Sequence, residues 1–208
     1  MVNPDGSTGD EVPLFDGENV VGRESEFEVL SRDPFLSPEH ACFTVRGAEV
    51  VVRDLESLNG VYYRIAEVTE LSHADQIRIG QEVLQYFHLD ADDAMIPPAT
   101  DGTVTAGAPP QAAWGRLERK STPESASFAF LLRGPEVSLG REIGDIVFRD
   151  DGYVSGRHMR LFRDGDRTFA EDLRSSNGTF LRIREERKLK DGALILMGKQ
   201  PFRLVLGG

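Results

Sequence analysis

The amino-acid sequence predicts an all-β protein made of two β-sandwiches in tandem, and three observations predict it. The first is self-similarity at one spacing. Gly22-Arg23-Glu24 recurs as Gly140-Arg141-Glu142, Ser37 and His40 recur as Ser155 and His158, and Asp54-Leu55 recurs as Asp172-Leu173, always 118 residues apart. Chance matches do not share an offset, so the chain carries a duplicated domain. The second is a succession of short apolar runs between turn residues, with no 3.6-residue repeat sustained over three turns. The third is a break in composition. Residues 91–111, ADDAMIPPATDGTVTAGAPPQ, are rich in Pro, Gly, Ala and Thr without apolar periodicity, and read as a linker. The expected division is 1–90, a linker over 91–111, and 112–208.

In the first copy, strands are expected at 41–45 and 50–54 around Arg46-Gly47, then at 76–79 and 83–89 around Gly80. In the second, 158–163 and 167–172 flank Asp164-Gly165-Asp166, and 193–197 and 202–206 flank Gly198-Lys199-Gln200-Pro201. Two further strands, 114–120 and 127–133, precede Gly140. At the common offset Trp114 has no counterpart in the first copy, which therefore lacks most of its first strand. Either another segment covers that sheet edge or the chain is truncated at its N-terminus.

Composition limits the function. With 39% apolar residues and 12 Phe among 208, the chain has the material for compact cores. No stretch reaches the roughly 18–20 apolar residues that span a bilayer, and MVNPDGSTGD has no signal-peptide pattern. The single cysteine, Cys42, cannot form an internal disulfide and fits a reducing, cytoplasmic setting. A net charge of −11 argues against a nucleic-acid partner. Residues 1–100 hold 20 acids against 6 Arg, whereas 101–208 hold 15 acids against 18 bases, nets of −14 and +3. An anionic ligand is expected to prefer the second half.

The ordered set Gly140-Arg141-Glu142, Ser155-x-x-His158, Asp172-Leu173 and Ser175-x-Asn177-Gly178-Thr179 resembles the signature of the forkhead-associated (FHA) family, which reads phosphorylated motifs. The resemblance covers both halves apart from the linker. It implies two FHA-like β-sandwiches whose end loops grip a phosphothreonine peptide.

The chemistry of the residues agrees with that role. A phosphothreonine dianion needs cationic and neutral donors around its oxygens. Arg141 offers a planar fork, Ser155 and Ser176 offer hydroxyls from two loops, and Gly156 offers a backbone N–H. Asn177 can pair with the peptide main chain. Arg157, with Arg174 and Arg182, adds positive potential, and Tyr153 and Arg174 are candidates for reading residues beyond the phosphothreonine. Gly140, His158, Asp172, Gly178 and Thr179 read as scaffold, with His158 buried behind the serine loop and Asn177-Gly178 making a turn.

The first copy keeps Arg23, Ser37, His40 and Asn59. Leu58, however, replaces the Ser176 hydroxyl, Pro38 removes the N–H that Gly156 supplies, and Val61 stands in place of Thr179. Each lost phosphate contact costs about 1–3 kcal/mol, so this degenerate site is expected to be weak or silent, a structural or docking element.

The expected function is a phosphopeptide-binding adaptor in Ser/Thr-kinase signalling, whose partner is a phosphothreonine protein, a kinase or its substrate. No cofactor, metal, nucleic acid or membrane is implied. The alternative is a phosphate-independent structural or oligomerising scaffold. A hydrolase built on Ser155, His158 and Asp172 is disfavoured, because no G-x-S-x-G elbow surrounds the serine and the same trio recurs as Ser37, His40 and Asp54. Thr100, Thr103 and Thr105 are candidate internal phosphorylation sites.

Overall fold

The computed structural model describes residues 1, 7, 9–90, 99–103, 113–122 and 124–206, and these are strand and turn apart from one four-residue helix. The expected linker, 91–111, lies outside the described residues except for 99–103, and Thr105 lies outside them too.

In chain order the first copy contributes β1 (Gly17–Val21), α1 (Glu28–Ser31), β2 (Ala41–Arg46), β3 (Glu49–Asp54), β4 (Val61–Arg64), β5 (Thr69–Leu71), β6 (Gln76–Ile79) and β7 (Glu82–His88). The second contributes β8 (Gly115–Lys120), β9 (Ala126–Leu132), β10 (Glu136–Gly140), β11 (Ile146–Val147), β12 (Met159–Asp164), β13 (Arg167–Asp172), β14 (Thr179–Arg182), β15 (Arg187–Leu189), β16 (Leu194–Met197) and β17 (Gln200–Arg203). The expected hairpins form, with β17 starting at Gln200 rather than 202. Their tight turns take positive φ at glycine, as at Gly165 (φ 61°) between β12 and β13.

The sequence copies are not the compact units. One unit comprises Met1–Arg64 with Phe180–Gly208, and the other is Ile65–Thr179. In the first, the antiparallel orders are β1-β2-β3-β15 and β17-β16-β4-β14. In the second they are β11-β10-β12-β13-β5 and β6-β7-β8-β9, with only β10–β11 parallel. The copies have exchanged their C-terminal strands reciprocally. β5 lies on β13 of the other copy, and its counterpart β15 lies on β3. β8 pairs along β7 from Leu84↔Arg119 to His88↔Gly115, whereas β17, the counterpart of β7, ends its sheet among the described residues.

Charge gives a physical reason for the exchange. Across β15–β3, Lys188 meets Glu49 at 2.9 Å, and across β13–β5, Arg167 meets Glu70 at 3.5 Å. At the common offset the unexchanged pairings would set Glu70 against Glu49 and Lys188 against Arg167, like charge against like.

Each unit has its own apolar interior. Val21, Phe43, Val52, Val61, Ile195 and Met197 share one buried cluster in the first. In the second, Leu84, Tyr86, Leu117, Leu132, Leu139 and Leu161 are all buried, at alternate positions of strands with one face inward. No helix of the described residues is long and apolar enough to cross a membrane.

Candidate functional site

In the 65–179 unit the loops after β10, β11 and β13 meet at one end. The packing begins at Gly140, where a Cβ would lie 2.3 Å from the Gly156 carbonyl oxygen and 2.5 Å from that of Ile143. Only glycine lets the end of β10 run under the serine loop. The Arg141 N–H donates to the Ser155 carbonyl (2.9 Å) and the Glu142 N–H to that of Gly156 (3.1 Å), which stitches the two segments together.

His158 is fully buried behind this loop. Its Nδ1 accepts the Ser155 N–H at 3.0 Å, so the proton resides on Nε2, which donates to the Gly178 carbonyl at 3.2 Å. One neutral tautomer thus ties the Ser155 loop to the Asn177-Gly178 turn. Beneath that turn, Asp172 accepts from the Ser175 N–H (2.9 Å), the Ser175 hydroxyl (2.6 Å) and the Thr179 hydroxyl (2.7 Å). Burial pushes the Asp172 carboxyl up, but these hydrogen bonds and the nearby His158 outweigh it and hold the group below the usual carboxylate range.

At the surface the two loops join directly, the Ser176 N–H donating to Ser155 Oγ at 2.9 Å and Asn177 Nδ2 to the Tyr153 carbonyl at 2.8 Å. Ser176, Asn177 and Arg157 are exposed, while Ser155, Gly156 and Arg141 are half-buried. Thus Arg141, Ser155, Gly156, Ser176 and Asn177 are linked by direct or adjacent hydrogen bonds at one end of one unit. Arg174 stands exposed with φ 61° beside them. Arg182 does not join them. It belongs to the other unit, where its Nη2 lies 3.4 Å from Asp54 Oδ2 and from the Ser57 carbonyl.

Two carboxylates at this site escaped the sequence reading. Glu142 Oε1 accepts from Arg141 Nη2 (2.7 Å) and Nε (3.2 Å), occupying the guanidinium fork. Asp151, buried, accepts the Tyr153 N–H at 2.9 Å and the Gln81 N–H at 2.6 Å, so it fastens the serine loop to the β6–β7 turn supplied by the other copy. The 118-residue offset would have exposed Asp151, because Asp33 repeats it and Gly198 repeats Gly80.

Ser155, His158 and Asp172 do not assemble into a nucleophile–base pair. His158 turns Nδ1 to the serine's backbone rather than its hydroxyl, and Asp172 bonds Ser175 and Thr179.

In the other unit the degenerate loops repeat the backbone and histidine bonds of this architecture but not the Thr179–Asp172 bond, which Val61 cannot make. The Ser37 N–H donates to His40 Nδ1 (3.0 Å), Leu58 N–H to Ser37 Oγ (3.1 Å), and Asn59 Nδ2 to the Phe35 carbonyl (2.8 Å). His40 Nε2 sits 3.0 Å from the Gly60 carbonyl. Burial lowers the His40 pKa from 6.5, only partly offset by that hydrogen bond and by Asp54 and Asp33. Leu58 is 64% exposed where Ser176 carries its hydroxyl. Arg23 is exposed and makes no side-chain hydrogen bond or ion pair with any described residue.

The charge contrast between the sequence halves does not survive the exchange. Residues 1–64 with 180–208 hold 16 acids and 12 bases, and 65–179 hold 19 acids and 12 bases, nets of −4 and −7. The basic C-terminal strands have joined the acidic N-terminal ones. Preference for an anion must therefore come from the local donors and not from the field of a whole half.

The FHA domain family model matches residues 19–80 and 137–198. Among curated proteins the chain is similar to FHA domain-containing protein FhaB of Mycobacterium tuberculosis, 31% identical over 81 residues, 38% of this chain and 52% of that one. It is also similar to an oxoglutarate dehydrogenase inhibitor of Corynebacterium jeikeium, 36% identical over 83 residues, 39% of this chain and 56% of that one. FhaB of Mycolicibacterium smegmatis matches at 31% over 80 residues, 37% of this chain and 52% of that one. The chain spans about half the length of the curated relatives it matches.

Proposed function

Because the chain belongs to the FHA domain family, in two copies, we propose that it is a non-enzymatic adaptor whose 65–179 unit binds phosphothreonine peptides of partner proteins in Ser/Thr-kinase signalling. The partner is a phosphorylated kinase or a kinase substrate. One observation carries the reading. Arg141, Ser155 and Ser176 lie on adjoining loops tied together by hydrogen bonds, and a hydrogen-bonded His158 and Asp172 brace them from behind. Ser155 Oγ accepts from the Ser176 N–H, which leaves its own O–H for an anion. The Arg141 fork already holds a carboxylate, the interaction a phosphate would replace.

The degenerate loops serve docking or structure in this reading. The exposed Leu58 and the missing N–H at Pro38 support that role, since both sit where phosphate donors stand in the other copy.

Calorimetric titration of a degenerate phosphothreonine peptide library into wild type, Arg141→Ala and Arg23→Ala tests the assignment. Arg141→Ala should lose about 2–5 kcal/mol of binding, as when one side of a desolvated charge pair is removed, and Arg23→Ala should bind as wild type. Equal loss in both would make the first-copy loops a second reader. No binding by wild type would favour the phosphate-independent scaffold.

A further inference from the structure

β9 ends its sheet, and among the described residues its only strand partner is β8, so its other edge presents backbone N–H and C=O groups that no described strand takes. Natural edge strands are usually blunted by lysine, proline or inward charge. β9 is not. Residues 125–132 read SASFAFLL, without one charge, and Phe128 and Leu131 are 60% and 48% exposed.

We infer that β9 is a self-association surface, which pairs antiparallel with β9 of a second copy. Three features select a second copy as the occupant. The chain carries −11, so copies repel except where a neutral stretch lets them meet. The strand is self-complementary about Ala129. A two-fold axis there sets Phe128 opposite Phe130 of the second copy, twice, and such aromatic cross-strand pairs are favourable. The flanking charges complement as well. Glu124 of one copy and Arg133 of the other come to the same end of the pair, at both ends. An isologous pair of this kind closes on itself and consumes both free edges.

The two-fold axis supplies a sharp test, because Ala129 faces Ala129 of the second copy. Sedimentation velocity of the full chain should show a dimer for wild type. Ala129→Arg and Ala129→Glu should each weaken dimerisation tenfold or more, since each sets like charges face to face. An equimolar mixture of the two variants should restore the dimer. Ala129 is exposed, so the fold tolerates both changes, and circular dichroism checks this. A monomeric wild type, variants that stay dimeric, or a mixture that stays monomeric would each overturn the inference. It does not depend on phosphopeptide binding.

Discussion

Glu142 and His40 show how single side chains set the working state of these loops. The Glu142 carboxylate occupies the Arg141 fork at 2.7 Å, so on the proposed function it would compete with phosphate there. Arg141 is half-buried and Glu142 exposed, and so solvated a pair is worth only about 0.2–1 kcal/mol. Glu142→Gln should therefore raise affinity for a phosphothreonine peptide up to about fivefold by calorimetry, and a weaker variant would show that Glu142 instead positions the arginine. His40 makes a pH prediction. Its folded pKa lies below 6.5, so the unfolded chain takes up the proton first. Its contribution to stability is complete above 6.5 and is lost as pH falls through the window between the unfolded and folded values. Proton NMR of the His40 ring should titrate below 6.5, and thermal stability should decline as pH drops under that value. A midpoint at or above 6.5 would contradict the burial that Ser37 and Gly60 impose.

At the scale of elements, the hairpin turns and the serine loops are locked by one repeated device. Asp151 Oδ2 takes the Gln81 N–H at 2.6 Å, and a Cβ on Gly80 (φ 55°) would sit 2.6 Å from the same oxygen. Asp33 repeats it, accepting the Phe35 N–H at 2.8 Å and the Lys199 N–H at 3.4 Å. The positions that carry the lock lie in different copies, so the Ser155 loop depends on residues nearly a domain away in sequence. Asp151→Ala should cost about 1–3 kcal/mol through the two backbone N–H groups it orphans and should weaken phosphothreonine-peptide binding, while Asp33→Ala leaves that binding unchanged. Equal effects from both substitutions would indicate general destabilisation.

The strands themselves were legible in the sequence because alternation and Gly-centred turns are local. The Arg, Ser, His and Asn positions were legible because they recur at one offset. The partners of β5 and β15 were not, since either copy of a duplicated strand satisfies the same local pattern. Charge, read across both alternatives, would have told them apart.

For the whole molecule, the choice between exchanged and unexchanged pairing rests on contacts that exist in only one arrangement. Tyr86 Oη bonds Thr168 Oγ1 at 2.8 Å with both residues buried. Unexchanged, Leu204 would replace that tyrosine or Val50 that threonine, and the buried tyrosine–threonine bond would be lost in both cases. Buried Glu82 binds Arg119 at 2.5 and 2.8 Å, whereas unexchanged Arg119 would face Gln200 and leave Glu82 without its arginine. Arg119 is 40% exposed, so the pair is only half-buried, and leaving Glu82 without it costs about 1–3 kcal/mol, more than the exposed Lys188–Glu49 and Arg167–Glu70 pairs, at about 0.2–1 kcal/mol each. The buried contacts supply most of the preference and the surface charges add to it. A protease site placed within 104–110 makes this measurable. After cleavage the halves of wild type should co-migrate on native size exclusion, because each compact unit needs strands from both. Glu82→Gln combined with Glu70→Lys and Lys188→Glu removes the half-buried Glu82–Arg119 pair and reverses both surface pairs. That variant, refolded and cleaved, should release separate halves. Wild-type halves that part under native conditions would mean that the copies fold unexchanged. A variant whose halves still co-migrate would place the preference in the tyrosine–threonine bond and the apolar packing around it.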